Sequence, residues 1–338
     1  MPSDQLYLVT GAAGFVGGHL VRHLKDSGLR VRAMVRNPDQ AEPLRAIADE
    51  VVLADLTDPA TLGPAVEGVT GIHHVAGLFR QEGIPDATFQ EVNAEGTRRI
   101  LDAAIEAGVR RVVHCSTNGV HSHIENPPAN ESYPFNPGDI YQESKLEGEL
   151  IAMEYFQSGR MSGVVLRPAM IWGPGDERTL KMFRMIASGR FFYVGPGEAL
   201  HHWIDVRDLA EAFRLAMDSD IDGEAFLIGG RDYLPMKTVA DEIARQLGVS
   251  GPWLHLPVGP MMLLAHATEI VCKPFGIEPP LFRRRVSFFL KSRAYDISKA
   301  REMLGFEARQ DIRGEIADII DAYENDGKLV RRNANAAG

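Results

Sequence analysis

Tyr141 and Lys145 stand four residues apart in Tyr141-Gln142-Glu143-Ser144-Lys145, so on a helix they share a face. A free phenol ionises near pH ~10, too high for a general base at neutrality. An ammonium held beside it favours the phenolate and brings that value towards the working pH, which suits taking a proton from an alcohol. Upstream lies Cys115-Ser116-Thr117-Asn118-Gly119-Val120, directly after an apolar run. A hydroxyl at that strand end is placed to hold a substrate oxygen. A Tyr-Lys pair alone equally suits an ordinary surface helix. A third stretch gives it meaning: Thr10-Gly11-Ala12-Ala13-Gly14-Phe15-Val16-Gly17, behind Leu6 to Val9 and ahead of a helical apolar spacing at Val16, Leu20, Val21 and Leu24. A strand, a glycine-rich turn and a helix N-terminus make a cradle for a phosphate, with backbone N–H groups and the helix dipole favouring an anion. The spacing is G-x-x-G-x-x-G rather than G-x-G-x-x-G. Gly11 suits the tight turn, Gly14 the approach of a pyrophosphate and Gly17 close helix–strand packing.

The elements that must position these groups follow in order. Arg30–Val35, Val51–Leu53, Gly71–Val75, Arg111–His114 and Val164–Arg167 read as further strands. Glu91–Ala107 reads as a long helix closed by Gly108. Strands alternating with helices over short connections predict a doubly wound parallel α/β sheet, with ligands at the carboxyl ends of its strands. Arg36 follows the second strand, where an acid would hold the 2′-hydroxyl of NAD and an arginine accommodates a 2′-phosphate; this leans towards NADP, while a solvent-facing arginine is the plain alternative. Asp55 either meets the adenine or caps the turn that follows. Ala76-Gly77 ends the fourth strand with residues small enough to let a dinucleotide pass. Beyond residue 170, helices over Thr179–Ala187, Asp208–Met217, Met236–Leu247, Pro260–Val271, Leu281–Leu290 and Ile312–Tyr323, with strands at Ala225–Ile228 and Trp253–Leu256, predict a smaller substrate lobe interleaved with the main one. The expected division is 1–170 for the dinucleotide domain with returning segments near 200–230, 171–330 for the substrate lobe, and a disordered polar tail at 331–338.

At 338 residues, 45% hydrophobic and 24% charged, the chain can bury a sizeable core. A net charge of −10 without a basic stripe argues against nucleic acid. Cys115 and Cys272 make no disulfide framework and fit a reducing compartment. No export signal is evident at the N-terminus, and Pro260–Val271 is too short to span a bilayer, so a cytoplasmic protein without a membrane or metal partner is expected.

Taken together, T-G-A-A-G-F-V-G at Thr10–Gly17, D-L at Asp55-Leu56, N-A-E-G-T at Asn93–Thr97, S-T at Ser116-Thr117, Y-x-x-x-K at Tyr141–Lys145, R-P at Arg167-Pro168, D-L-A at Asp208–Ala210 and D-I-S-K-A at Asp296–Ala300 resemble the extended short-chain dehydrogenase/reductase family. The resemblance runs over roughly residues 5 to 325 and implies a Rossmann-type fold. It implies NAD(P) held by Gly11, Ala13, Gly14, Phe15, Val16, Arg36, Asp55, Leu56, Ala76, Gly77, Asn93, Ser116, Tyr141, Lys145 and Pro168. It also implies Tyr141 as general acid or base, Lys145 holding the nicotinamide ribose, and Thr117 bonding the reacting oxygen, with Ser116 as the alternative. A homodimer through the helices carrying Glu91–Ala107 and Tyr141–Phe156 is implied likewise.

Departures inform the substrate. Dehydratases resembling this chain carry Asp-Glu after the threonine, where this sequence has Asn118-Gly119, so elimination is not expected. The pyrophosphate arginine of epimerases is replaced by His201, leaving Asn118, Arg178, Arg184 and His201 as candidate substrate contacts. The preferred expectation is an epimerase or keto-reductase on a nucleotide sugar, which would hold NAD. The second is a dehydrogenase of the 3β-hydroxysteroid and dihydroflavonol type, favoured by Arg36 and the apolar Pro260–Val271. The third is a dinucleotide-sensing protein without turnover.

Overall fold

The computed structural model describes residues 5–81, 83–272 and 281–331. Beyond Arg331, the tail expected at 331–338 lies outside the described residues, as do residues 1–4. In chain order the elements are β1 (Leu6–Thr10), α1 (Phe15–Asp26), β2 (Arg30–Val35), α2 (Ala41–Arg45), β3 (Glu50–Leu53), α3 (Leu62–Val66), β4 (Gly71–His74), α4 (Asp86–Gln90), α5 (Gly96–Glu106), β5 (Arg111–Cys115), α6 (Ile140–Gln157), β6 (Ser162–Pro168) and β7 (Met170–Trp172). There follow α7 (Glu177–Ala187), β8 (Tyr193–Val194), β9 (Leu200–Asp205), α8 (Val206–Asp218), β10 (Ala225–Ile228), β11 (Tyr233–Pro235), α9 (Met236–Leu247), β12 (His255–Leu256), α10 (Val258–Cys272), α11 (Arg283–Phe288), α12 (Ser298–Leu304) and α13 (Ile312–Asn325).

The main sheet has seven parallel strands in the order β10-β6-β5-β4-β1-β2-β3. Its strands are short apolar runs because both faces are covered. One face buries Leu20, Val21 and Leu24 of α1 with Leu209 and Phe213 of α8. The other buries Leu62 and Val66 of α3, Ile100 and Leu101 of α5, and Ile151 and Tyr155 of α6. Strand order reverses between β1 and β4, where Thr10 pairs with His74, so the crevice for a ligand opens there. A second sheet, β11-β9-β7, packs with α7, α9 and α13 around a separate core of Trp172, Phe183, Tyr193, Trp203, Ile243 and Ile319.

Three elements differ from the sequence expectation, the helix expected over Leu281–Leu290 being reduced to Arg283–Phe288. The helix expected over Glu91–Ala107 starts at Asp86 and carries a π turn at Glu91–Glu95. The Thr97 hydroxyl donates to the Asn93 carbonyl at 2.7 Å, and α6 presses on that same carbonyl at Gly148, where a Cβ would sit 2.2 Å away. The strand expected over Trp253–Leu256 shrinks to His255–Leu256, and Trp253 is 80% exposed.

Candidate active site

The glycine turn is built by exclusion of side chains. Gly11 has φ +68°, and a Cβ on it would lie 2.8 Å from the Ala76 Cα across the switch point. A Cβ on Gly17 would stand 2.2 Å from the Gly11 carbonyl, so α1 meets β1 only through glycine. The Thr10 hydroxyl accepts from Val75 N at 3.1 Å and Ala76 N at 3.0 Å, fixing the ends of β1 and β4 together. It also meets His74 Nδ1 at 2.9 Å, while burial pushes that imidazole down to about 3 and keeps it neutral. The first turn of α1 carries no acidic residue, and Gly14 supplies no side-chain cap. Its N–H groups thus face the crevice without an internal anion, which fits a dinucleotide pyrophosphate. Ala13 and Gly14 are exposed there, and Phe15 and Val16 are half-buried.

Lys145 and Tyr141 lie on α6, whose N-terminus is capped by Asp139 accepting from Gln142 N at 2.9 Å. Tyr141 packs edge-on against Phe79, ring centres 5.1 Å apart, and the Arg80 guanidinium lies 4.6 Å from its ring centre. Arg80 is in turn ion-paired with Asp139 at 2.7 Å. Burial pushes the Tyr141 phenol up to about 12; Arg80 opposes this, and so does hydrogen bonding with Thr117. The expected lowering of the phenol by Lys145 is corrected by the geometry: the ammonium donates to the Cys115 carbonyl at 2.6 Å, and Arg80 is the chief opposing charge. Lys145 is buried, and its own value is lowered by that burial.

At the end of β5 the two hydroxyls separate. Ser116 donates to Glu149 Oε2 at 2.5 Å, and Glu149 is itself held by Arg167 in a buried pair at 2.5 Å. Thr117 is half-buried; its Oγ1 accepts from Gly119 N at 3.0 Å, and its hydroxyl hydrogen-bonds with the Tyr141 phenol. Asn93 commits its carboxamide to Leu78 N at 2.7 Å, Leu78 O at 3.1 Å and Ser144 at 2.9 Å. It clamps the Gly77 loop to α6, and Lys145 Nζ would lie 3.6 Å from a Cβ on Gly77.

The remaining expected contacts scatter. Arg36 is exposed at the end of β2. Asp55 accepts from Thr57 N and Oγ1, both at 2.8 Å, so it makes the local turn; Leu56 is buried beneath it. Pro168 pairs with Ile228 inside the main sheet, and Asn118, mostly buried, opens a one-turn helix at Asn118–His121. Arg178, tied to Asp176 at 2.8 Å, reaches back over Phe15 of the glycine turn at 5.2 Å. Arg184 is corrected: α7 buries Leu180, Phe183 and Ile186, so Arg184 faces outward and donates to the Lys328 carbonyl. His201 is buried against Phe288, ring centres 4.5 Å apart, and is held neutral at about 3 by burial beside Arg293. His202, with Nε2 3.0 Å from the Gly230 carbonyl, is structural. Phe79, Arg80, Glu149 and Arg293 were not singled out from sequence. Arg80 and Phe79 followed Ala76-Gly77 closely enough to have been asked about; Arg293 lay three residues ahead of the D-I-S-K-A landmark. Among the described residues no group of three or more His, Cys, Asp or Glu is placed to hold a metal, and no helix is long and apolar enough to cross a membrane.

A phosphate cradle at a sheet switch point, with Thr117 at the end of β5 and Tyr141 and Lys145 on the adjoining α6, is the arrangement of a dinucleotide-binding oxidoreductase or epimerase. The chain belongs to the NAD-dependent epimerase/dehydratase family, whose description matches residues 7–229, and hence to the extended short-chain dehydrogenases/reductases. It is 31% identical to sterol demethylase protein B of Methylococcus capsulatus, over 95% of this chain and 99% of that one. It is 28% identical to the 3beta-hydroxysteroid-dehydrogenase/decarboxylase isoform 2 of Arabidopsis thaliana, covering 96% of this chain but only 63% of that longer protein. The crystal structure of gox2253 superposes with a TM-score of 0.81 at 29% identity, covering 96% of this chain and 99% of that one.

Proposed function

We propose that this protein is an NAD(P)-dependent dehydrogenase that moves a hydride between the nicotinamide and the carbinol carbon of a hydrophobic secondary alcohol or its ketone. The observation that carries the reaction is the convergence of Tyr141, Thr117 and Lys145 beside the glycine turn. In this reading Gly11, Ala13, Gly14, Phe15 and Val16 hold the pyrophosphate, Arg36 faces the adenosine ribose, and Lys145 holds the nicotinamide ribose. The bound nicotinamide supplies or accepts the hydride. Thr117, with Gly119 N–H donating to its Oγ1, donates its own proton to the substrate oxygen and fixes that oxygen in place. Tyr141, a neutral phenol at about 12, gives its proton to the developing alkoxide when a ketone is reduced and takes the carbinol proton in the reverse direction. Asn118-Gly119 supplies no acid pair for elimination.

The substrate class rests on two supports. Two relatives are sterol and hydroxysteroid proteins by name. The other is α10, an apolar helix with Leu263, Leu264, Ile270 and Val271 more than half exposed. The nucleotide-sugar reading, preferred from sequence alone, loses the contact expected from Arg184. The test is a panel of hydroxysteroids and nucleotide sugars followed at the nicotinamide absorbance band together with product stereochemistry. The expected result is net NAD(P) turnover with a hydroxysteroid, abolished in Tyr141→Phe while cofactor binding survives. Inversion of a nucleotide sugar with no net absorbance change overturns the assignment.

A further inference from the structure

Three consecutive residues at the end of β5 are each tied to one side of α6. Tyr141, Lys145 and Glu149 follow one another at intervals of four, so they share that side of the helix. The Lys145 ammonium donates to the Cys115 carbonyl at 2.6 Å, the Ser116 hydroxyl donates to Glu149 Oε2 at 2.5 Å, and the Thr117 hydroxyl hydrogen-bonds with the Tyr141 phenol. The Ser116 backbone is fixed as well, its N–H donating to the Leu166 carbonyl of β6 at 2.8 Å. The first and third ties belong to groups that act on cofactor and substrate. The middle one, between Ser116 and Glu149, is buried behind them and has no part in the mechanism above.

Glu149 divides its carboxylate between two partners. Its Oε1 accepts from Arg167 Nε at 2.8 Å and from a second guanidinium nitrogen at 2.5 Å, which leaves Oε2 to Ser116. Glu149 is fully buried and Arg167 is 5% exposed, so water competes with neither bond. On its far side Arg167 donates to the Glu131 carbonyl at 3.1 Å and lies 3.4 Å from His121 Nε2, an imidazole that burial and Arg167 hold down to about 4 and hence neutral. A buried ion pair adds little to stability over apolar residues of the same volume. What this one adds is direction: a charge-assisted hydrogen bond is roughly twice as strong as a neutral one, and it holds its donor in one place. Thr117 leaves Ser116 in extended backbone, φ −156° and ψ 145°, so a swing at Ser116 is passed on to the Thr117 hydroxyl.

We infer that Glu149 is a positioning residue of the reaction: acting through Ser116, it holds the Thr117 hydroxyl in place against the Tyr141 phenol. The inference rests on the dehydrogenase reading above for the roles of Thr117 and Tyr141. It also gives Ser116 a use, as the link between the buried carboxylate and the residue that meets the substrate oxygen. A misplacement of about 1 Å at a reacting group costs on the order of a hundredfold in rate, so loosening this link costs roughly tenfold.

The test uses the NAD-loaded full chain with ¹³C-labelled tyrosine and follows the Tyr141 Cζ resonance, assigned by its absence from Tyr141→Phe. Thr117→Val deletes the bond to the phenol and sets the full displacement of that resonance. Ser116→Ala is expected to displace it in the same direction. With a substrate from the panel, the same variant lowers kcat about tenfold while KM and the dissociation constant of NAD stay within about twofold. Glu149→Gln, which keeps a neutral acceptor for the Ser116 hydroxyl, gives a smaller displacement, and the double variant matches Ser116→Ala alone because both changes act through one bond. Ser116→Ala leaves the Arg167 pair intact, so the test stays decisive even where Glu149→Gln does not fold. A resonance that stays in place in Ser116→Ala or in Thr117→Val overturns the proposal, whatever happens to Tm. A parallel loss of kcat, substrate affinity and NAD affinity overturns it too, as the mark of a merely structural residue. Absence of turnover across the panel overturns the dehydrogenase reading alone, since the resonance is read without substrate.

Discussion

Removing Arg80 tests the electrostatics of the proton-transfer residue directly. Its guanidinium lies 4.6 Å from the Tyr141 ring centre and is the chief charge opposing the rise of the phenol to about 12. At about 5 Å and an effective dielectric constant of about 20, a unit charge stabilises the phenolate by roughly 3 kcal/mol. Both groups are half-buried, and halving the figure for solvent screening leaves about 1.5 kcal/mol, close to one pKa unit or a tenfold change. Asp139 acts with the opposite sign and more weakly. The assay is kcat/KM for alcohol oxidation as a function of pH, with a substrate from the panel. Rate rises with pH while the phenolate is the minor form, so Arg80→Ala moves this limb about one unit to higher pH and slows oxidation about tenfold beneath it. Asp139→Asn, which still caps α6 because asparagine accepts the same N–H, moves the limb to lower pH by a smaller amount. Shifts in the same direction for both variants refute the charge argument. A fixed limb with a reduced limiting rate refutes it as well.

Two further outcomes are expected. Burial pushes Glu315 up to about 8 from an ordinary 4.5, so the folded state holds a proton that the unfolded chain releases. That contribution is fully present below pH 4.5 and is lost as pH rises through 8. Glu315→Gln still accepts from Trp172 Nε1, which bonds Glu315 at 2.6 Å, and removes roughly 4 kcal/mol of pH dependence; parallel Tm-against-pH curves for variant and wild type reject this. Arg36→Asp weakens NADP more than NAD in equilibrium titrations, and an unchanged ratio of the two dissociation constants disposes of the 2′-phosphate role.

The sheet was legible because its signals are local. Arg30–Val35 and Ala225–Ile228 form strands at the bounds read from their apolar runs, and Met236–Leu247 forms a helix at the bounds read from its spacing. Tyr141 and Lys145 needed only helical periodicity to be put on one face. The π turn at Glu91–Glu95 was hidden because it answers to the close approach of Gly148 from a helix fifty residues away in the chain. Arg80 was hidden for a related reason: it gains meaning from Tyr141 and Asp139, neighbours distant in sequence. Arg184 misled because a basic residue on an amphipathic helix reads alike whether it points inward to a phosphate or outward to solvent.

The segment Lys291–Tyr295, whose backbone bonds to β9 and to residues 124–129, has a bearing on synthesis. The nascent chain completes the seven-stranded sheet once Ala225–Ile228 has emerged, whereas Tyr295, Ile297, Ala300, Leu304 and Phe306, buried in the core on one face of that sheet, come more than sixty positions later. A ribosome-bound intermediate therefore has all seven strands before one face of the sheet is fully covered. Chains terminated before residue 290 should accordingly leave that face uncovered and be recovered poorly folded, which a loss of cooperative thermal unfolding would show.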